Sequence, residues 1–335
     1  MLRRSFAGPI VVVVLAAVVG GCGADRDALT IYSGRDEALV GPLLERFSEE
    51  TGIPIDVRYG DSADLAVLLA EEGENTPADV FFSQTPGAVG YLDEQGLLAE
   101  LPRDLLGKVD PKFEASDGRW IGLTARQRVL VYNEKIVDEA DLPESVFDLT
   151  QPQYAGEVAL APSNGSFQDF VSAMALIEGE DVAQRWLDAM AAGGAPTYAD
   201  NNSIVDAVAR GEVAMGLANH YYNYRFLEED PLLPSRNYVF PDGDIGALLI
   251  ASTVSVVESS EATENAQKFV EFLLEEEAQN YFAEETFEYP LASGVAPSPE
   301  LPPLDMQSAP DFDIDRLGAE LERTTKMIAE SGLLD

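Results

Sequence analysis

Cysteine and histidine are almost missing from these 335 residues, with one of each, Cys22 and His220. A single cysteine excludes an internal disulfide and a thiolate metal site. A single histidine excludes HExxH zinc chemistry and histidine clusters. Basic side chains are scarce as well, 21 lysines and arginines against 60 aspartates and glutamates, for a formal net charge of −39. Such a surface repels nucleic acid and anionic lipid, and it favours solubility and the approach of cations. The acids are scattered over polar helix faces and loops, as in EEGE and LEED, the pattern of a solvated acidic surface. GxSxG, HExxH and Walker motifs are all absent, so an extracellular enzyme is left without a recognisable catalytic motif. The length suffices for two domains and a large buried core.

Long hydrophobic runs are lacking too. The apolar stretch over residues 10–19 is too short to span a bilayer comfortably, and Arg3 and Arg4 precede it as a positive n-region. Val19-Gly20-Gly21-Cys22 follows and resembles a bacterial lipobox, in which small residues admit the peptidase and the thiol carries the lipid. Residues 1–21 are therefore read as a lipoprotein signal peptide, Cys22 as the lipidated residue, and 22–28 as a tether. The alternative is a plain secretory signal with an incidental cysteine. Arg3-Arg4-Ser5-Phe6 also has a loose likeness to a twin-arginine export signal.

What is present has a rhythm. LTIYSG reads as a strand, Leu39, Val40, Leu43, Leu44 and Phe47 recur at helical spacing up to Gly52, and Ile53, Ile55, Val57 and Tyr59 alternate as a second strand. A helix near Leu65–Leu69 and the short strand ADVFF continue the β-α-β order of an open sheet covered by helices. The order resumes with GEVALAPS, a helix from Phe167, the helix SIVDAVARG and the strand VAMGLA. Two apolar β-rich stretches break it, WIGLTARQRVLVYN and IGALLIASTVSVV, each long enough to cross between domains. They predict a bilobed protein with 29–127 plus 253–302 in a first lobe and 128–252 plus 303–335 in a second. Ligands of such lobes sit at strand C-termini and helix N-termini facing the cleft. A linker rich in proline and aspartate leads to a final amphipathic helix carrying Ile314, Leu317, Leu321 and Ile328.

NHYYNYRF, residues 219–226, follows an apolar strand and holds the histidine with three tyrosines. On residue type alone these aromatics are either core or ligands. Context decides between the two. The segments TIYSGRDE, ETGI, TPADVFF, RQRVLVYN, NGSF, YADNNS, GEVAMGLANHYY, KFVEFLL and EYPL together resemble, in order and spacing, the bacterial ferric-iron-binding proteins of ABC importers. The resemblance covers essentially the whole mature chain. It implies an α/β, type II periplasmic binding-protein fold, two lobes with central mixed sheets joined by a two-strand hinge.

It also implies a site. The tandem tyrosines of that family are the iron ligands, here Tyr221 and Tyr222, and ferric iron as a hard cation favours anionic oxygen. Tyr224 and His220 are read as packing neighbours. The position where family members often carry a histidine holds Asp36, read either as a third ligand or as a helix cap. Gln84 stands where some members have a ligating glutamate, and the third tyrosine of some subgroups is missing between Pro162 and Ser166. A synergistic anion, phosphate or carbonate, is implied at Asn164, Gly165 and Ser166, a helix N-terminus with free amides, together with Asn201 and Asn219. Arg126 and Arg35 are read either as positive charge beside that anion or as structural ion pairs. The implied partners are an ABC permease with its ATPase and, through the lipid anchor, the membrane; the implied protein is a monomer and not an enzyme. The competing reading is a binding protein for an anionic organic solute such as a phosphonate or sugar phosphate, with the tyrosines lining its pocket.

Overall fold

A computed structural model describes residues 28–304, 310 and 312–334. The signal peptide, Cys22 and the tether up to residue 27 lie outside the described residues. The chain opens with β1 (Leu29–Ser33), α1 (Glu37–Thr51), β2 (Ile55–Tyr59), α2 (Ser62–Glu72), β3 (Val80–Ser83) and α3 (Pro86–Glu94). Strand β1 pairs in parallel with both β2 and β3. Leu39, Val40, Leu43, Leu44 and Phe47 form the buried stripe of α1, which ends at Gly52 with φ 71°. Only a residue without Cβ adopts that left-handed turn cheaply, and its N–H closes on the Ser48 carbonyl.

After the single turn α4 (Arg103–Leu106) comes β4, Trp120–Asn133, buried along its entire length. Its neighbours change along the way. Residues 120–127 pair antiparallel with β8 (Leu249–Val256), which also pairs with β3. From Arg128 onward the partners are β6 (Met215–Asn219) and β7 (Ser235–Tyr238). Strand β4 thus passes from one sheet to the other, and Arg126-Gln127-Arg128 mark the place where it changes partner. Two arginines flanking Gln127 in a largely apolar strand are explained by that position, since a cleft between lobes is where polar side chains are useful.

The second sheet also holds β5 (Val158–Ala159), parallel to β6. Around it lie α5 (Gly165–Glu178), α6 (Glu180–Ala192), α7 (Asn201–Arg210) and α8 (His220–Glu229). The single helix expected from Phe167 is two, because Gly179 at φ 100° breaks it. Strand order through both sheets is β2-β1-β3-β8-β4-β6-β5. The two-lobed mixed α/β architecture expected from the sequence is the one observed. Each lobe has its own aromatic cluster: Phe47 against Phe269 and Phe272 in the first, Trp186 against Phe167 and Phe170 in the second. Helices α9 (Thr263–Leu273) and α10 (Glu276–Glu284) lead to the short β9 (Tyr289–Pro290), and α11 (Leu317–Ser331) closes the chain. Among the described residues no helix is long and apolar enough to cross a membrane.

Helix α11 lies against α3 in the first lobe and, through the 2.7 Å Ser172–Thr324 hydroxyl pair, against α5 in the second. It meets α3 backbone to backbone, since a Cβ on Gly318 would fall 2.3 Å from the carbonyl carbon of Gly90. Gly318→Ala is therefore expected to force the two helices apart and cost about 1–3 kcal/mol of stability. Chemical denaturation of purified protein measures this; an unchanged midpoint would mean that the crossing yields without strain.

Candidate functional site

Strand β6 ends at Asn219 and α8 begins at once with His220, so Tyr221 and Tyr222 project from the first helical turn. In a strand two consecutive side chains face opposite ways; here they stack, ring centroids 4.0 Å apart and planes 29° from parallel. Both are buried. Among the described residues the Tyr221 hydroxyl has no hydrogen-bond partner, while that of Tyr222 accepts from Gln84 Nε2 at 3.3 Å. Burial pushes both phenols above their ordinary range, Tyr221 well above it; the Asp36 carboxylate adds to the rise at Tyr222. Arg35 and Arg126 pull in the other direction at both. The pair is held neutral by desolvation, beside cations and a helix N-terminus that favour its ionised form.

His220 is the first residue of α8 and is tied on both sides. Its Nδ1 accepts from the Gln127 amide at 3.1 Å, which places the proton on Nε2, 2.8 Å from the Phe287 carbonyl. The ring also packs on Tyr289, and burial lowers its pKa to about 4. Tyr224 stacks on Phe287 at 6.0 Å, half-buried.

Asp36 precedes α1 and is exposed; its carboxylate makes no capping hydrogen bond, although its carbonyl accepts from Leu39 and Val40. Behind it lies a fully buried ion cluster. Arg35 Nη2 donates to Glu288 Oε2 at 2.8 Å, and Arg126 Nε lies 3.6 Å from Glu288 Oε1. Arg126 also donates to the Gln84 carbonyl. Burial opposes the charge of Glu288, yet the two guanidiniums outweigh it and hold the carboxyl below its usual range. Glu288 belongs to EYPL, which the sequence presents as a motif without disclosing this role.

Three of the anion-type positions, Asn164, Ser166 and Asn201, form one hydrogen-bonded group. Asn164 Oδ1 accepts from the Ser166 amide (3.1 Å) and hydroxyl (2.6 Å) at the start of α5. Asn201 Nδ2, at the start of α7, reaches Asn164 Oδ1 at 3.2 Å and Ser166 Oγ at 3.3 Å. Asn219 is fully buried, and among the described residues neither of its side-chain polar atoms has a hydrogen-bond partner. Gly165 faces Thr85 and Gln84 across the cleft, where a Cβ would sit 3.6 Å and 3.7 Å from their side chains. The structure thus brings Tyr222, Gln84 and Gly165 into one cleft between the lobes, with Arg35, Arg126 and Glu288 behind the tyrosines and Asp36 near its exposed side.

Two further residues at this cleft are absent from the sequence expectation, Arg128 and Asp169. Asp169, buried in α5, accepts from the Gly87 amide of α3 at 3.1 Å. Burial raises its carboxyl from 3.8 to about 7, against the opposing pull of the Gly87 and Thr85 hydrogen bonds and of Arg126. A raised folded-state pKa means that the folded protein holds the proton longer than the unfolded chain. Its stabilising contribution is then complete below about pH 3.8 and is lost as pH rises towards 7. Wild type should therefore lose stability over that window relative to Asp169→Asn, by an amount of order a few kcal/mol. Parallel denaturation curves for both proteins from pH 4 upward would refute this.

The family model for bacterial extracellular solute-binding proteins matches residues 75–316. A Fe(3+)-binding periplasmic protein of Serratia marcescens is 33% identical over 99% of this chain and 99% of its own. The major ferric iron-binding protein of Neisseria meningitidis is 31% identical over 96% of this chain and 97% of its own. Among solved structures, iron-bound HitA from Pseudomonas aeruginosa superposes with a TM-score of 0.87 at 36% identity, covering 91% of this chain and 99% of that one. Strand crossing, cleft and kinship agree: this chain belongs to the bacterial extracellular solute-binding protein family and has the type II periplasmic binding-protein fold.

Proposed function

We propose that this protein captures ferric iron outside the cytoplasmic membrane and delivers it to an ABC permease, acting as a monomeric binding protein and not as an enzyme. The observation that carries the reading is the stacked, buried Tyr221–Tyr222 pair. Two phenol oxygens on adjacent residues of one helical turn offer a hard cation two anionic ligands once their protons leave. Asp36 is the third protein ligand; with two phenolates its carboxylate balances the ferric charge. Phosphate or carbonate completes the coordination from Asn164, Gly165, Ser166, Asn201 and Asn219, with Arg126 contributing positive charge nearby. The named iron binding of the Serratia and Neisseria relatives and of HitA supports the cargo.

Release follows from the same geometry. With residues 29–127 plus 253–302 as one lobe and 128–252 plus 303–335 as the other, Asp36 and the tyrosines lie on opposite sides of the cleft. Iron binds better when both sides reach it, so loading favours closure and opening frees the cargo. The test is the visible spectrum and metal content of protein purified without added iron, then after ferric loading. A phenolate-to-iron band supports the reading. A colourless protein that takes up no iron and binds a phosphonate or sugar phosphate instead would overturn it.

Lipid anchoring at Cys22 is part of the proposal, supported by the Val19-Gly20-Gly21-Cys22 junction. Cys22→Ala is expected to shift the protein from the membrane fraction to the soluble one. Retention of mature, cleaved Cys22→Ala protein on membranes would show that the anchor lies elsewhere.

A further inference from the structure

We propose that a cavity at the seam of the two lobes binds a hydrated alkaline-earth dication, magnesium or calcium, and that this ion tethers one lobe to the other. The tether does not depend on the ferric reading above. The cavity measures about 170 Å³. It lies between the start of α2 in the first lobe, the start of α5 in the second, and α11. Asp61 and Asp64 stand exposed on one side of it, Ser163 and Gln168 on another, and Thr325 and Ile328 on the third.

The two aspartates lack a counter-ion. Asp61 holds the N-cap position of α2 and Asp64 lies three residues on, so both sit on one side of the first turn. An aspartate at an N-cap ordinarily turns its carboxylate to the helix amides. Here the Asp61 side chain makes no capping hydrogen bond. Among the described residues neither aspartate makes an ion pair. The charged groups that act on Asp61 are Asp64, Asp36 and Asp200, all acidic. After partial burial, the larger cause, they raise its carboxyl above the ordinary value. Against these carboxylates the N-terminus of α2 sets only about half a positive charge.

The opposite wall supplies neutral acceptors. Gln168 is only 8% exposed, and its Nε2 donates to the Ser163 carbonyl at 3.3 Å. That bond fixes which end of the amide is the donor, and Oε1 has no partner among the described residues. Thr325 Oγ1 donates to the Leu321 carbonyl and so presents its oxygen as an acceptor. Oxygen ligands alone select a hard cation. Among the described residues no three acidic or histidine side chains are grouped to hold a bare metal ion. A hydrated ion needs fewer, since magnesium keeps several waters and is commonly held through one or two carboxylates. Volume agrees: at about 30 Å³ per water, the cavity takes an ion with roughly five waters. Coordinated waters are donors, and they answer the unpaired carboxylates on one side and Gln168 Oε1 on the other. Opening the lobes would separate those two sides, so occupancy favours closure. The site also adjoins the cleft, because Ser62, next to Asp61, accepts from the Gln84 amide at 2.9 Å and Gln84 touches Tyr222.

The test uses the purified chain, stripped of metal and kept free of iron, with magnesium chloride and calcium chloride as probes. Calorimetric titration in about 0.15 M sodium chloride limits the general pull of a −39 surface, since the Debye length is then about 8 Å. One saturable site is expected, with a rise in the thermal midpoint. Asp61→Asn combined with Asp64→Asn should abolish that site. Gln168→Leu leaves the net charge unchanged and should weaken binding about tenfold, the scale of one hydrogen bond to a charged group. Glu49→Gln combined with Glu50→Gln removes two exposed acids at the end of α1 and should bind as wild type. No saturable site in wild type, or equal weakening in the α1 control and the aspartate pair, overturns the site. If the aspartate pair does not fold, Gln168→Leu decides alone. Small-angle X-ray scattering reads the tether: magnesium should make wild type more compact and leave Gln168→Leu less changed at the same concentration. Equal radii of wild type with and without the ion overturn the tether.

Discussion

Replacing both Tyr221 and Tyr222 by phenylalanine is expected to abolish visible colour and iron retention together, leaving a folded, colourless protein. Each substitution removes one oxygen and keeps the ring, so the stack at 4.0 Å and its burial survive. The packing cost is small. Tyr221 loses a hydroxyl without a hydrogen bond, and Tyr222 gives up a single 3.3 Å contact from Gln84. Removal of an unpaired buried hydroxyl is close to neutral or stabilising, and loss of a weak neutral hydrogen bond costs about 1 kcal/mol. The ligand loss is far larger, because no neutral ring substitutes for an anionic oxygen on ferric iron. Single variants should shift or bleach the band and speed iron loss to a chelator. Tyr224→Phe is the control, since Tyr224 stacks on Phe287 and should leave the colour unchanged. Wild-type colour and retention in both single variants would reduce the tyrosines to core residues.

The legible parts of this fold were those with local periodicity. Helix α1 and strand β2 follow from apolar spacing because α1 buries one face and β2 half-buries Ile55, Val57 and Tyr59 against the core, and Gly52 shows where the helix ends. Strand β4 was visible as an apolar run too long for one lobe. Other elements were hidden because long-range partners define them. Strands β7 and β9 are four and two residues long and exist only by pairing with β4. GEVALAPS suggested a full strand, yet only Val158 and Ala159 join the ladder, with Leu160 adding an isolated bridge to Thr197. At the site, the tyrosines and asparagines were named from their motifs, whereas Arg128 and Glu288 were not. A buried arginine and a surface one look alike in a sequence; the spacing of Arg126 and Arg128 puts both on one face of a strand without saying what lies there. Asp169 gave no hint, as its partner Gly87 lies 82 residues away across the cleft.

Glu288→Gln is expected to destabilise the protein by about 3–5 kcal/mol, the usual cost of removing one member of a buried ion cluster. Two fully buried guanidiniums depend on this carboxylate, Arg35 at 2.8 Å and Arg126 at 3.6 Å. Glutamine keeps the volume and a partner for the Thr286 hydroxyl, which donates to Glu288 Oε2 at 3.1 Å. It does not keep the charge. Arg35, whose protonated form Glu288 supports against burial, would face Arg126 with no negative charge between them. The acid limb of stability should change accordingly. A carboxyl held below its usual range stabilises the fold above that range, and the contribution fades as pH falls through the folded-state value. Glu288→Gln should therefore be destabilised at neutral pH and converge on wild type in acid. The tyrosine pair responds in the opposite sense, since Glu288 disfavours the Tyr221 phenolate that Arg35 and Arg126 favour. The variant is expected to fold less stably but to retain its phenolate band when loaded with iron. Wild-type stability at neutral pH would show that solvent or a side-chain rearrangement replaces the carboxylate. Loss of the band with the fold intact would show that Glu288 orders the tyrosines directly.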